Sequence, residues 1–481
     1  MLAAVQAIPA LLAANTAVLA ILAALALLFG RIYCSILCPL GIIQDILGWL
    51  AERLVGKKPR FHYTPPRTTL RWSMAAVAVI GSLAGLPVAL SLLDPYSVFG
   101  RMATHIVLPV VLAVNNILES ILSRSGSYIL YHMDSSPFSF SALATAAGSL
   151  LVVGWPAWKH GRAYCNTICP VGTIFGLIGS RPVFGIRFDD AACSHCGRCE
   201  AGCKAKCLDS GKSRIDYSRC VGCMNCLDRC NCGALRVALQ SPLAIQQERP
   251  AQKSGKTPVN GSRRAFLRNS LGLAAVPALP SVAVAANGEQ KGIPPVRQHP
   301  ILPPGAQSLA HFTARCTACH ACVGKCPSHV LQPALLEYGP GGFLQPLMTY
   351  TKGFCNYDCT ICTRICPSGA LQPLTTDRKH MTQIGRVVFT EELCIVRTNG
   401  THCGACAEHC PTQAVTMVPF AKGLTIPVIN PDICVGCGGC EYICPTRPYR
   451  AIHVEGNAVQ ELRKAFQEEQ REEHRIDSFG F

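Results

Sequence analysis

The sequence predicts an α-helical membrane domain followed by small, cysteine-rich α+β domains. Two observations support this prediction. Long apolar runs with few charges fill much of the first third of the 481-residue chain, and most of its 30 cysteines fall in C-x-x-C-x-x-C-x-x-x-C runs further along. A disulfide scaffold is normally a much shorter secreted chain, so this spacing indicates the ligands of a cofactor.

The charge balance indicates a membrane as a partner. The formal net charge is +16, an excess that suits either nucleic acid or a membrane surface. Many of the basic residues flank apolar runs, so we expect a membrane and no nucleic acid.

Residues 1–180 predict the membrane domain, with three spans. The apolar runs 8–29, 72–93 and 138–158 are each about long enough to cross a bilayer as a helix. Basic residues after the first run mark the cytoplasmic side. A fourth apolar stretch, 104–122, contains a proline, two asparagines and a glutamate, which are costly in lipid. We therefore expect an amphipathic helix on the outer surface there, with the N-terminus of the chain outside.

The first and third of these runs lead into the same short element, Arg-x-Tyr-Cys-x-x-x-Cys-Pro. Cysteines four residues apart share one face of a helix. Two such pairs facing each other would form a four-thiolate site at the cytoplasmic edge, able to bind a metal or a cluster or to cycle through disulfides. The alternative is that they are buried structural thiols. The four cysteines are Cys34, Cys38, Cys165 and Cys169.

Residues 181–240 predict a cytoplasmic, ferredoxin-like α+β domain of the bacterial two-[4Fe–4S] kind. In two-cluster ferredoxins the first three thiolates of one run hold one cluster, and the fourth ligates the other cluster. Zinc is the alternative, but it favours separated C-x-x-C pairs over runs of four. Cys207 and Cys232 are surplus to this ligand set. One cluster is predicted on Cys193, Cys196, Cys199 and Cys230, and its neighbour on Cys220, Cys223, Cys226 and Cys203.

A linker and an export signal are predicted next. Residues 241–261 are rich in polar residues, Pro and Gly, which is typical of a linker. Residues 262–287 join Arg263 and Arg264 to a short apolar run, the pattern of a twin-arginine signal. The alternative is a basic linker with a Pro-bent surface segment. An export signal would place the rest of the chain in the periplasm, either released by cleavage or held by a fourth anchor.

Residues 288–458 predict a periplasmic ferredoxin-like domain with four clusters, and residues 459–481 a charged tail. The domain has sixteen cysteines in four runs, enough for four [4Fe–4S] clusters. One stretch, Cys316-Thr317-Ala318-Cys319-His320, also matches the c-type haem attachment pattern. Both of its cysteines belong to a complete cluster run, so haem is the weaker interpretation. The sixteen are Cys316, Cys319, Cys322, Cys326, Cys355, Cys359, Cys362, Cys366, Cys394, Cys403, Cys406, Cys410, Cys434, Cys437, Cys440 and Cys444.

As an ordered set, these features resemble two protein families. The part before residue 262 is similar to the NapH/MauN membrane ferredoxin-type proteins. The part after it is similar to the NapG/MauM proteins, including the long gap between Cys394 and Cys403. The resemblance implies a quinol dehydrogenase module that feeds a periplasmic reductase or a methylamine oxidation system. This chain departs from both families because it joins the two halves in one polypeptide.

The predicted function is electron transfer in a bacterial inner membrane. Six clusters and no flavin or nicotinamide fingerprint indicate an electron carrier. We expect the quinone pool as donor and a periplasmic oxidoreductase or cytochrome subunit as acceptor. The alternative is a metal-handling or maturation factor that binds a metal such as copper at the four membrane-edge thiols. Quinol oxidation needs polar groups at a membrane interface, and the candidates, which could also merely cap a span, are Asp94, Tyr96, Arg101 and His105.

Overall fold

The computed structural model describes residues 2–55, 61–133, 139–240, 297–447 and 449–463. The predicted linker and twin-arginine segment lie outside these ranges, as does most of the charged tail.

The first 180 residues form a helical domain. Its helix starts are set by local chemistry: Asn15 caps α2 by accepting from the amide of Val18, and Asp94 caps α7 by accepting from the amide of Ser97. The helices are α1 (Ala7–Leu12), α2 (Thr16–Phe29), α3 (Tyr33–Ile36), α4 (Pro39–Val55), α5 (Thr68–Leu83), α6 (Val88–Leu93), α7 (Pro95–Met102), α8 (Leu108–Arg124), α9 (Phe140–His160), α10 (Ala163–Thr167) and α11 (Pro170–Ile178).

The single spans predicted over residues 8–29 and 72–93 are both wrong. The first run is divided between α1, which ends at Leu12, and α2, which begins at Thr16. The second run is also divided. Helix α5 ends at Leu83, the chain turns at Gly85 with φ 76°, and α6 begins only after Pro87. Glycine supplies the positive φ at no steric cost, and proline cannot continue the preceding helix. The apolar run is therefore two helices joined by a turn.

The helix predicted over residues 104–122 begins earlier in the structure, and its predicted position on the outer surface of the membrane stays a prediction. A π-helical turn at Ala103–Val107 joins α7 to α8, so that Pro95–Arg124 is one 30-residue helix. Its asparagines are not left unpaired, because Asn115 donates to the carbonyl of Tyr131 at 3.1 Å and Asn116 to that of Met133 at 2.9 Å. In the part of the chain that the structure describes, Pro95–Arg124 and Phe140–His160 are long and apolar enough to cross a membrane, judged by length and composition alone.

A small α+β domain follows the helices and packs into them. Strand β1 pairs antiparallel with β4, and β2 pairs with β3. Buried residues of both parts, such as Leu22, Tyr33 and Val221, belong to one continuous core. The elements are β1 (Phe184–Phe188), α12 (Arg198–Ala201), β2 (Leu208–Asp209), β3 (Arg214–Ile215), α13 (Asn225–Asp228) and β4 (Leu235–Leu239).

The last domain has cores of its own and three antiparallel pairs: β5 with β6, β8 with β9, and β7 with β10. Its helices are short, and most of them lie within a cysteine run. The elements are α14 (Leu309–Arg315), α15 (Ala321–Lys325), β5 (Leu331–Pro333), β6 (Pro346–Met348), α16 (Ile361–Ile365), α17 (Thr376–Met381), β7 (Thr382–Phe389), α18 (Ile395–Asn399), α19 (Ala405–Glu408), β8 (Val415–Pro419), β9 (Thr425–Ile429), α20 (Gly439–Ile443) and β10 (Ile452–Leu462).

The two cysteine-rich domains touch the helical domain at opposite ends of α2. Just before α2, Ala13 meets the last domain: a Cβ added to Gly369 would lie 3.6 Å from its Cα. Just after α2, the side chain of Arg31 donates to the carbonyl of Ser218 in the smaller domain at 3.2 Å. A helix of 14 residues, about 21 Å long, therefore separates the two contacts.

Candidate cluster sites and a polar group beneath them

Three cavities in the cysteine-rich domains are lined by thiols from two different runs. The cavity in the smaller domain has a volume of about 360 Å³. Its ligand loops turn through residues with positive φ, among them Met224 at 58° and Gly222 at 66°, a conformation that turns backbone amides towards one centre. The thiols are those of Cys203, Cys220, Cys223 and Cys226, with Cys207 beside them.

The last domain repeats this arrangement twice. One cavity of about 350 Å³ combines the last cysteine of the first run with three cysteines of the second. Another, of about 370 Å³, combines the last cysteine of the fourth run with three of the third. The thiols are those of Cys326, Cys355, Cys359 and Cys362 in one, and Cys394, Cys403, Cys406 and Cys444 in the other.

The pKa shifts of other cysteines in these runs indicate that they, too, lie near cysteines of another run. Burial raises the pKa of the Cys316 thiol, and the neighbouring Cys319 and Cys366 add to the rise. Burial likewise raises the pKa of Cys434, with Cys410 contributing. In the smaller domain burial raises the pKa of Cys199 to about 11, with Cys230 contributing.

This donor set fits iron–sulfur clusters better than single metal ions. Crowded, buried thiolates need a bound cation to balance their charge, and thiolates are the usual ligands of [4Fe–4S] clusters. Across the described ranges, no three or more His, Cys, Asp or Glu side chains are arranged to hold one metal ion. The thiols instead line cavities that each combine cysteines of two runs.

The two Arg-x-Tyr-Cys-x-x-x-Cys-Pro elements face each other across the helical domain. The arginine of each reaches the cysteine carbonyl of the other: Arg31 donates to the carbonyl of Cys165 at 2.9 Å, and Arg162 donates to that of Cys34. Cys38 and Cys169 complete a set of four buried thiols. The four cysteines thus lie near one another, but among the described residues no three of them are arranged to hold one metal ion, and the four-thiolate site stays a prediction.

Hydrogen-bond donors reach the sulfur atoms of this set, among them Nη2 of Arg31, which lies 3.8 Å from Cys34 Sγ. The side-chain amide of Gln44 donates to Cys165 Sγ at 3.0 Å, and the backbone amide of Gly172 donates to Cys169 Sγ at 3.3 Å. Both stabilise a thiolate more than a thiol, because a thiolate accepts hydrogen bonds more strongly. A Cβ at Gly172 would lie 2.3 Å from the carbonyl oxygen of Cys165 in its own element and 2.6 Å from Nη2 of Arg31 in the other, so a side chain there would crowd this contact.

The polar residues proposed for a quinol site lie against the first cysteine run of the last domain. Asp94 is buried and accepts hydrogen bonds from the amide and hydroxyl of Ser97 at 2.9 and 2.6 Å. Arg101 is fully buried and donates to the carbonyl of Ala318 at 3.2 Å. Its Nε and Nη2 have no hydrogen-bond partner among the described residues. Tyr96 lies partly buried beside them.

His105 contacts a residue that the sequence analysis did not assign to the site. Its Nε2 lies 2.6 Å from Nδ1 of His320, and the neighbouring Thr104 donates to the carbonyl of His320 at 3.4 Å. Both residues belong to the π-helical turn, a feature often found at functional sites. The one sequence signal for His320 was the Cys-x-x-Cys-His stretch, which had been weighed only as a haem site.

These sites define an iron–sulfur protein of the ferredoxin type. A family model described as a 4Fe-4S binding domain matches residues 12–58 and again 141–187, the two regions that contain the paired thiols of the helical domain. A second model, described as a 4Fe-4S dicluster domain, matches residues 401–447.

Similarity to known proteins shows which ferredoxin-type proteins this chain is related to. The chain is 32% identical over 175 residues to the methylamine utilization ferredoxin-type protein MauM of Methylobacillus flagellatus, covering 34% of this chain and 74% of that protein. It is 31% identical over 213 residues to the ferredoxin-type protein NapG of Haemophilus influenzae, covering 40% of this chain and 71% of that protein. It is 28% identical over 154 residues to the ferredoxin-type protein NapF of Escherichia coli K12, covering 32% of this chain and 85% of that protein. The chain belongs to this Nap/Mau family of ferredoxin-type proteins, and its role is iron–sulfur electron transfer.

Proposed function

We propose that the protein is a membrane-bound quinol dehydrogenase module that passes electrons through six [4Fe–4S] clusters to a periplasmic oxidoreductase. One observation carries the proposal. The polar group of Asp94, Arg101 and His105, on an apolar helix, directly contacts the first cysteine run of the last domain. A lipid-soluble donor bound there would be adjacent to an electron acceptor.

The surface of the helical domain supports a membrane location. On Pro95–Arg124 the large side chains of Val110, Val114, Ile117 and Ile121 are all exposed. Exposed apolar area of this extent is unfavourable in water and marks a lipid-facing or partner-facing surface. Lipid is the covering that fits a helix of this length.

The unpaired nitrogens of Arg101 support a bound quinol. A buried donor without a partner costs about 1–3 kcal/mol. A quinol or quinone oxygen is a hydrogen-bond acceptor that would remove this cost. Quinol oxidation also releases protons, and the carboxylate of Asp94 and the imidazole of His105 are the groups nearby able to accept them. Bound [4Fe–4S] clusters supply one-electron acceptors, which the surrounding thiols hold and shield from water.

The two cysteine-rich domains contact opposite ends of α2, and we propose that they lie on two faces of a membrane. In this proposal the smaller domain is cytoplasmic and the last domain is periplasmic, exported through residues 262–287. A reporter fused after Phe481 should be active outside the cytoplasm, and replacing Arg263 and Arg264 with lysine should trap it inside. Export unaffected by that change would argue against a twin-arginine signal.

The decisive experiment is quinol-driven reduction of the clusters in membranes. Arg101→Leu should abolish bleaching of the cluster absorbance by a reduced quinol and leave bleaching by dithionite intact. Arg124→Leu, at the exposed end of the same helix, is the matched control and should behave like the wild type. If Arg101→Leu accepts electrons from quinol at the normal rate, the polar group is not the quinol site.

The alternative, a metal-handling factor, depends on the four buried thiols of the helical domain. Their regions match a 4Fe-4S binding domain, and in the described ranges no arrangement for a single metal ion is found. Both observations favour a role in electron transfer. Stoichiometric copper in the purified protein, with clusters that quinol cannot reduce, would favour the metal-handling function.

A further inference from the structure

Two cysteines of the smaller domain are not needed as ligands, and each lies beside a crossing ligand. We call the last cysteine of a run its crossing ligand, because it faces three cysteines of another run. The sulfur of Cys207 lies 3.6 Å from that of Cys203, and the sulfur of Cys232 lies 3.7 Å from that of Cys230. The two surplus cysteines are therefore not scattered through the chain.

The last domain has a hydroxyl group at the corresponding place. Ser368 Oγ lies 3.7 Å from the sulfur of the crossing ligand Cys366, and Thr446 Oγ1 lies 3.1 Å from that of Cys444. Each hydroxyl follows its cysteine by two residues, as Cys232 follows Cys230. In the run of Cys203, the residue two positions after the cysteine is Ala205, whose side chain has no hydrogen-bond donor. The sulfur of Cys207 lies beside Cys203 instead.

The backbone directs Cys207 into the cavity rather than away from it. Lys206 has a φ of 52°, a left-handed conformation that turns the chain back towards Cys203. The carbonyl of Cys207 then accepts from the amide of Asp216 at 2.8 Å, which fixes the turn. The Cys207 side chain is only 2% exposed and lines the same cavity as the four assigned thiols.

A buried thiol in this position can do what a hydroxyl cannot. Thiolates are the normal ligands of iron in these clusters, whereas the hydroxyl of Thr446 at most donates a hydrogen bond to its neighbour. Five thiols thus line a cavity that needs four. Cys232 is exposed, so its sulfur does not share this enclosure.

We propose that Cys207 is an alternative ligand that can take over the iron atom assigned to Cys203. In the exchange the bond from iron to Cys203 Sγ breaks and a bond from iron to Cys207 Sγ forms. The thiol proton of Cys207 passes to Cys203, and no electron is transferred. The inference rests on the proposed function only in requiring that this cavity hold a cluster.

Iron retention tests the exchange in the full-length protein. Cys203→Ala, purified anaerobically, should keep the iron and acid-labile sulfide content of the wild type, because Cys207 replaces the missing ligand. The double variant Cys203→Ala/Cys207→Ala should lose between about one and four iron atoms. The matched control is Cys444→Ala, whose neighbour Thr446 cannot replace it, and it should lose iron to the same extent.

Electron paramagnetic resonance of the oxidised proteins separates the outcomes. A three-iron cluster signal in Cys203→Ala, or iron loss as large as in the double variant, would overturn the proposal. Retention of all iron in Cys444→Ala would overturn it too, because a spare thiol would then be unnecessary. Failure of quinol oxidation leaves these readings unchanged, so the two proposals fail separately.

A second variant covers the case in which Cys203→Ala does not accumulate. Cys207→Ala keeps all four assigned ligands and should be purified with full iron content. Under an iron chelator at mildly acidic pH it should lose one cluster several-fold faster than the wild type, because no replacement ligand is present. Equal rates of loss in the two proteins would contradict the exchange.

Discussion

Nε2 of His105 and Nδ1 of His320 lie 2.6 Å apart, although 215 residues separate them in the chain. His320 Nε2 lies 2.8 Å from the carbonyl of Leu344, which can only accept, so Nε2 carries the proton and Nδ1 accepts from His105. Burial and the neighbouring His105 lower the pKa of His320 to about 3, which keeps the ring neutral. This hydrogen bond joins the long apolar helix to the first cysteine run of the last domain.

Replacing His105 should loosen that junction. In His105→Phe the buried Nδ1 of His320 loses its donor, which should cost about 1–3 kcal/mol. We expect faster limited proteolysis of the last domain and slower quinol-driven reduction, with the iron content unchanged. His132→Phe, an exposed ring in the same domain, is the control. Unaltered proteolysis in His105→Phe would mean that the pair does not hold the junction.

The tight packing around the carbonyl of Cys165 and the side chain of Arg31 leaves no room for a side chain at Gly172. In Gly172→Ala the added Cβ would lie 2.3 Å from the carbonyl oxygen of Cys165 and 2.6 Å from Nη2 of Arg31. Overpacking of this kind typically costs about 1–3 kcal/mol, which should appear as a lower melting temperature in detergent. Gly148→Ala is the control, because a Cβ there meets nothing within 4 Å. Equal melting temperatures for the two variants would contradict the packing described.

The Asp45–Arg162 ion pair should make the stability of the folded protein depend on pH. Burial acts to raise the pKa of Asp45, but the hydrogen bonds and charges of Arg162, 2.7 Å away, and Lys204, 3.2 Å away, outweigh it and hold the pKa below its usual value. A carboxyl whose pKa is lower in the folded state than its unfolded-state pKa of about 3.9 stabilises the folded protein at pH values above that unfolded-state pKa. This stabilisation is lost as the pH falls through the folded-state pKa. Asp45→Asn should therefore melt lower than the wild type at pH 7, and the difference should shrink towards pH 3.

Asp189→Asn provides the comparison for that experiment. Asp189 is more exposed, and its oxygen lies 3.9 Å from Arg236. Exposed pairs contribute about 0–1 kcal/mol, so its melting curve should follow the wild type closely at both pH values. A difference for Asp45→Asn that persists unchanged at pH 3 would show that the effect is not the carboxylate charge.

Cofactor content tests the proposed count of six clusters. Protein purified without oxygen should contain about 24 iron and 24 acid-labile sulfide atoms. About four more of each would indicate a seventh cluster at the four thiols of the helical domain. A content near half of 24 in intact protein would rule out the assignment of three and one cysteines to each cluster.

The same four thiols should lie on the electron path. In Cys34→Ser/Cys165→Ser we expect quinol to reduce the clusters of the smaller domain many times more slowly, with the iron of the other clusters retained. The control is Cys232→Ser, an exposed cysteine outside the proposed ligand sets. If reduction proceeds at the normal rate in the double variant, the four thiols are buried structural groups.

The sequence alone was sufficient to predict the class of the protein. Cluster ligands follow one another at fixed, short spacings, because one loop supplies three of them, so the runs and the [4Fe–4S] chemistry are visible without a fold. The repeated Arg-x-Tyr-Cys elements were visible for the same reason. The break at Gly85 and Pro87 was also local, but the length of the apolar run concealed it.

Contacts between segments that are far apart in the sequence could be learned only from the tertiary structure. The sequence does not indicate that α7 and α8 run on as one helix, since the partners of its asparagines lie at residues 131–133. Nor does it place His320 against His105, or Cys207 in the cavity of Cys203, because each contact depends on how separate elements pack. Spacing along the chain specifies the ligands of a loop, whereas the contacts between loops and helices depend on burial and shape in the folded protein.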